Sequence, residues 1–236
     1  FTFLRGASSP PELVARALEL GYEALAITDE CSVAGVVRAH AALKEALERP
    51  AAAASATAAA ASAPATPATS LKLIIGAEFH LDCDMHLVVL AADRRGYGQL
   101  CRLITRGRRA ADKGSYRLSR DDVAALLEPG PCLLLWVPAR AAPGEASAAE
   151  RARWLHGRFG GAAWIAVELL RDGAERERLR SLTALSRASG LPLVAAGDVH
   201  MHVRARRQLQ DALTAIRHNL PLAAAFSVVP IVLIGL

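Results

Sequence analysis

Apolar positions along the chain recur at two spacings, and the two alternate. Leu13, Ala17, Leu18 and Leu20 form an apolar stripe, with Leu13, Ala17 and Leu20 four and three residues apart, the rhythm of an amphipathic helix. Ser9-Pro10-Pro11-Glu12 supplies its start, with Ser9 as cap, proline in the first turn and Glu12 three residues after Ser9, as in a capping box. Gly21 can close it. The short apolar run 24–28 (ALAIT) predicts a buried strand ending at Asp29, and 33–48 predicts the next helix, charged along one side. Residues 73–79 (LIIGAEF) and 86–91 (HLVVLA) predict two strands. Asp82 and Asp84 between them are turn formers, so the two should make a hairpin. A basic helix is expected over 95–111. Further strands are expected over 132–137, 164–169 and 192–196, with helices over 148–158 and 174–189 between them and another beginning near His202. Strands alternating with helices imply βαβ units and a mainly parallel α/β sheet or barrel.

Two stretches break the alternation. Residues 50–70 are low in complexity, almost all Ala, Ser, Thr and Pro, with prolines at 50, 64 and 67. Proline breaks a helix and nothing large is present to pack, so this reads as a surface insertion. Residues 220–236 carry no charge, but Pro221 and Pro230 interrupt them and 17 residues is marginal for a membrane span. We expect an apolar tail of the kind a truncation or frameshift leaves, rather than an anchor, and hence no membrane partner. The domain expected is therefore 1–219, with 220–236 as tail. A start at Phe1 rather than Met suggests a piece of a longer protein.

Composition changes this picture in one respect. The chain of 236 residues is 53% hydrophobic, but 50 of those residues are alanine, so the figure signals helices more than a large-side-chain core. Four cysteines without regular spacing suggest neither a disulfide framework nor a zinc site. No GxxxxGK[ST], strand-linked GxGxxG or GxSxG occurs, and Cys31, Cys83, Cys101 and Cys132 have no visible base.

Candidate chemistry gathers at strand ends, where parallel α/β barrels place their ligands. Asp29 and Glu30 follow the first strand, Glu78 ends the second, and Asp198 and His200 follow the last. His86 opens the return strand of the hairpin, which puts it beside Glu78. Carboxylates mixed with imidazoles suit a divalent transition metal such as Zn, Mn or Fe, although each residue could equally be a helix cap or a core group. His40, His80, His156 and His218 show no such convergence. The charge is also local. Between Asp93 and Arg120 nine basic residues meet two acids, an excess of +7 against +5 for the whole chain. Within it Arg102, Arg106, Arg108, Arg109 and Lys113 are candidates for contact with a phosphate backbone; the alternative is a solvated helix face. Tyr97 and Tyr116 stand alone, so base stacking has little support.

Several of these segments together resemble one family. Ala24-Leu25-Ala26-Ile27-Thr28-Asp29, Gly76-Ala77-Glu78-Phe79, His86 through Ala91, Gly96-Tyr97 and Gly197-Asp198-Val199-His200 are similar to the PHP (polymerase and histidinol phosphatase) domain. More narrowly they resemble the N-terminal PHP domain of bacterial C-family, polymerase III alpha-type DNA polymerases. Phe3 through Ser8, Thr28 through Ser32, Leu103 through Arg109 and Asp198 through His202 look like the error-prone, damage-inducible branch. The resemblance covers about residues 1–219 and implies a distorted seven-stranded β/α barrel with a metal cluster at one rim, here lacking its first strand. It places Glu78, His86, Asp198 and His200 on ligand positions. The family's opening His-x-His is absent, Glu30 stands where a histidine is expected, and Trp136-Val137 stand where metal-binding members carry a cysteine or histidine.

Such a site is degenerate. The resemblance implies a structural piece of an error-prone, DNA-directed DNA polymerase, a nucleotidyltransferase of damage-induced translesion synthesis in DNA replication and repair. Its polymerase residues, with Mg2+, would lie further along the chain. Zn2+ or Mn2+, or no metal, would occupy the rim. DNA, the remaining polymerase domains, a sliding clamp and mutagenesis accessory proteins are the implied partners, in the bacterial cytoplasm. Two other readings are a stand-alone metal-dependent PHP phosphoesterase and a non-catalytic module that binds DNA through its basic segment.

Overall fold

A computed structural model describes residues 5–48, 71–139, 145–169 and 173–218. The expected insertion at 50–70 and the tail at 220–236 lie outside them. Among the described residues seven helices and six strands follow in this order: α1 (Pro10–Glu19), β1 (Ala24–Glu30), α2 (Ala34–Glu48), β2 (Lys72–His80), β3 (His86–Ala91), α3 (Arg94–Arg109), α4 (Arg120–Leu126), β4 (Cys132–Val137), α5 (Glu145–Phe159), β5 (Ala163–Val167), α6 (Glu175–Ser189), β6 (Leu193–Ala195) and α7 (Arg207–His218). The strands form one sheet in chain order. The chain divides into two compact units, one of Phe1–Leu25, Gly35–Lys72 and Val199–Leu236, the other of Ala26–Ala34 and Leu73–Asp198.

The sheet departs from expectation at one pairing, β3 with β4. β4–β5 and β5–β6 are parallel, but β2–β3 and β3–β4 are antiparallel. β2 and β3 are the expected hairpin. Reversing β3 there means that the long segment carrying α3 and α4 returns to an antiparallel partner, where a βαβ crossover was expected. α4 was not anticipated; it is seven residues long, started by a Ser119–Asp122 capping box. β1 runs through Glu30, one residue past its expected end at Asp29, and a 3-10 turn at Arg204–Arg206 precedes α7.

Alternation along the strands separates two faces. In β3, Leu87 and Val89 are buried between the half-buried His86, Val88 and Leu90. Register pairs Phe79 with Leu87 and Leu87 with Trp136, and Val89 with Leu134. These join Leu100 and Leu103 of α3 and Ile165 of β5 in the core of the second unit. One residue on, the register sets His80 beside His86 and His86 beside Val137, on the opposite face because side chains alternate with period two.

In the first unit, α1 starts and stops as its sequence predicts. The Ser9 backbone N–H donates to Glu12 Oε2 at 2.8 Å. At the other end Gly21 takes φ +71, its N–H reaches Leu18 O at 3.1 Å and Tyr22 N–H reaches Ala17 O at 2.9 Å, the paired bonds of a Schellman motif. The N-terminal loop is tied to the last helix: Gln210 Nε2 donates to Arg5 O at 2.7 Å, Ser8 Oγ lies 2.7 Å from His202 Nδ1, and Arg206 pairs with Glu12.

Both capping carboxylates carry a pH consequence. Glu12 and Asp122 are held below their ordinary values of 4.5 and 3.8, first by hydrogen bonds from the backbone N–H of Ser9 and of Ser119. A carboxylate whose pKa is lowered by folding lends stability that is complete above its unfolded value and lost as pH falls through its folded one. Urea midpoints should therefore fall as pH drops below about 4.5. Asp122→Asn should lower the midpoint at pH ~6 and make the fall toward pH ~3 shallower. A fall of unchanged steepness in that variant would contradict the assignment.

Candidate functional site

The hairpin builds the centre of the candidate site. β2 ends at His80 and β3 begins at His86, with the turn held by Leu81 N–H to Met85 O at 2.8 Å. Glu78, His80 and His86 share a face, and His86 Nε2 lies 3.2 Å from Glu78 Oε2. Glu78 is buried and His86 half-buried. The placement of Glu78 beside His86 is the one the hairpin predicts. His80 shows no convergence in the sequence, yet its ring stacks on His86 with centroids 4.2 Å apart and planes 20° from parallel. Its signal in the sequence is its position two residues from Glu78 and directly across the hairpin from His86.

The end of β1 reaches the same strand. Cys31 N–H donates to Glu78 O at 2.9 Å, and Cys31 adopts φ +44, a left-handed conformation unfavourable for a side chain with a Cβ. Tyr116 Oη bridges here, accepting from the His80 backbone N–H at 2.8 Å and donating to Glu30 Oε1 at 3.3 Å. Burial raises the Tyr116 phenol well above its ordinary value. Burial also pushes the Cys31 and Cys132 thiols up to about 11, so neither is a thiolate near neutral pH.

Arg108 closes the turn. Its Nε donates to Cys31 O at 3.2 Å, one Nη to Glu30 O at 3.2 Å and the other to Ser115 O at 3.4 Å, and it lies over the Tyr116 ring at 5.4 Å. Arg106 is also engaged, with Nε 2.7 Å from Asp122 Oδ1. Arg102, Arg109 and Lys113 are exposed. The five basic candidates thus divide by what they touch.

Asp198 is exposed at φ +41 at the end of the second unit. His200 belongs to the first unit, where its carbonyl accepts from Ala7 N–H at 2.7 Å. Val137, rather than Trp136, stands beside His86, because Trp136 faces the core. Among the described residues no three His, Cys, Asp or Glu side chains lie close enough together to hold a metal ion. The Glu78–His86 couple offers one carboxylate and one imidazole, well short of a coordination shell. While His86 Nε2 donates its proton to Glu78, that nitrogen is not a metal ligand. Among the described residues no helix is long and apolar enough to cross a membrane.

Both the fold and the sequence have known relatives. A solved structure from Bifidobacterium adolescentis, described as a candidate metal-dependent phosphoesterase, matches with a TM-score of 0.54 and 14% identity, covering 84% of this chain and 85% of that one. An amidohydrolase from Chromobacterium violaceum, solved with sulfate and no metal, matches at the same TM-score and identity, covering 85% and 86%. At that identity the likeness shows the fold, a distorted β/α barrel. Sequence relatives are nearer. An error-prone DNA polymerase of Azoarcus sp. is 51% identical over 92% of this chain and 20% of its own length. That of Methylococcus capsulatus is 50% identical over 94% and 18%. That of Pseudomonas aeruginosa is 47% identical over 95% and 19%. The chain spans about a fifth of the length of these curated relatives. Since the PHP domain pattern matches residues 1–134, more than half of its length, the chain belongs to the PHP domain family.

Proposed function

We propose that this chain is the N-terminal PHP part of an error-prone, DNA-directed DNA polymerase, with a structural rather than a catalytic role. The observation that supports it is identity near one half, sustained over more than nine tenths of the chain, to error-prone DNA polymerases five times its length. The whole enzyme adds deoxynucleotides to a primer in damage-induced translesion synthesis. Acidic residues beyond this chain would hold Mg2+, whose positive charge would supply electrostatic stabilisation of the transferred phosphoryl group. Its partners are DNA, the other polymerase domains, a sliding clamp and mutagenesis accessory proteins, in the bacterial cytoplasm.

Within the chain, Glu78, His86, Asp198 and His200 are the remnant of a metal rim, and Glu30 and Trp136-Val137 stand at altered ligand positions. Zn2+ or Mn2+ would be the ion suited to that donor type, but the donors brought together do not make its shell, and no catalytic step is assigned to it. The role of Glu30, Glu78 and His86 is to join β1, β2 and β3 at one end of the sheet through the Glu78–His86 contact and the Glu30–Tyr116 bridge.

The fold likeness to a candidate metal-dependent phosphoesterase favours one other reading, a stand-alone phosphoesterase. The two give opposite results. Expressed together with the sequence that follows it in its genome, the product should extend a primer on a template. The 236-residue chain alone should hold well under one metal per chain by elemental analysis and hydrolyse no phosphate ester. Stoichiometric metal with chelator-sensitive hydrolysis by the chain alone would overturn the structural role, and that result with no primer extension by the longer product would replace the polymerase reading with the phosphoesterase.

A further inference from the structure

The basic residues of α3 sort by position on the helix. Arg95, Arg102, Arg106 and Arg109 follow one another at seven, four and three residues, which sets them on a single stripe roughly 40–60° wide. Arg108 lies about 120° round the helix from Arg102. They also sort by commitment. Arg108 spends its guanidinium on the carbonyls of Glu30, Cys31 and Ser115. On the stripe, Arg95 is paired with Glu128 and Arg106 with Asp122. Arg102, Arg109 and, just past the helix, Lys113 are exposed, with no ion pair or hydrogen bond among the described residues.

We propose that Arg102, Arg109 and Lys113 form a contact surface for the sugar–phosphate backbone of duplex DNA, and that Arg108 takes no part in it. Arg102 and Arg109 are separated by about 10.5 Å of helix rise, close to three base-pair steps of one strand at ~3.4 Å each. Two guanidiniums and an ammonium on a flexible stem can meet phosphates spaced along one strand without reading bases. The surface lacks the aromatic platforms that single-stranded nucleic acid needs: Tyr97 is exposed but lies about 140° round the helix from Arg102, and Tyr116 is half-buried under Arg108. That favours a duplex backbone over a single strand. The choice of DNA over another polyanion rests on the polymerase reading; the identity of the three contact residues rests on the structure.

The test is the salt dependence of binding to a short labelled duplex of arbitrary sequence, read by fluorescence anisotropy on the chain itself. Each phosphate neutralised contributes about 0.9 to the slope of log K against log salt. R102A/R109A/K113A should therefore flatten the slope by about 2.7, which is about 40-fold less affinity lost across roughly 50–200 mM salt. R102K/R109K, which keeps the charges, should retain the slope. A charge-matched variant on α6, R176A/R180A/R187A, should retain it too. An unchanged slope in the first variant, or an equal flattening in the α6 variant, overturns the surface. So does loss of binding to polyglutamate with duplex binding intact, which would assign the face to an acidic protein. Failure here with primer extension by the longer product intact leaves the polymerase reading standing, so the two fail separately.

Discussion

Gly96→Ala should destabilise the second unit by about 3 kcal/mol, read as a lowered urea midpoint with unchanged slope. A Cβ at this position would sit 1.8 Å from Pro131 O and 2.7 Å from Pro131 C, so a backbone group rather than a side chain must move. That carbonyl is already committed, accepting from Ala92 N–H at 2.9 Å. It belongs to the residue before β4, which pairs with β3 along its whole length. Gly96 cannot move either. Its N–H donates to the capping carboxylate of Asp93 at 2.7 Å, and its own carbonyl accepts from the Cys132 thiol at 3.5 Å. Overpacking a site with no slack costs ~1–3 kcal/mol, with backbone clashes at the upper end. Gly98→Ala, two residues away, meets nothing within 4 Å. There alanine's better helix propensity should act alone and stabilise by up to ~1 kcal/mol. Equal effects at the two positions would refute the close approach as the reason for glycine at 96.

The contrast shows what the sequence made legible. Apolar rhythm and caps placed α1, the hairpin and most later elements within a few residues, because those signals are local. They also placed Glu78 beside His86, since a hairpin's register follows from its turn. The antiparallel β3–β4 pairing was not legible, because the roughly 40 residues between those strands contain helix and so read as a crossover. α4 was missed because seven residues give too short a period to count, although Ser119 and Asp122 form the same cap as Ser9 and Glu12.

The basic segment shows a second limit. From sequence its charges are equivalent. Their partners lie 16 residues away for Arg106 and about 78 for Arg108, and no local pattern reports pairings at that distance. The same holds for Trp136, which the strand pattern alone cannot assign to a face. Only pairing with Leu87 does so, leaving Val137 beside His86.

Arg108→Ala should therefore cost stability, whatever it does to binding. Its fork reaches three backbone carbonyls, two of them on the turn where β1 ends and Cys31 is held at φ +44. A left-handed residue with a Cβ persists only where its surroundings hold it, at ~1–3 kcal/mol of strain, and Arg108 is part of that restraint. Hydrogen bonds from a charged donor contribute ~1.5–3 kcal/mol each when shielded, but this side chain is exposed, so a total near 2 kcal/mol is expected. Arg108→Lys should recover less than half of it. An ammonium is a point donor and cannot span carbonyls that a planar guanidinium reaches from three nitrogens. The loss should be local as well as global. Backbone amides of Cys31 and His80, which donate to Glu78 O and Tyr116 Oη, should exchange with solvent faster in Arg108→Ala than in R102A/R109A/K113A. Equal exchange in the two variants would return Arg108 to the surface population and remove its role in holding the strand end.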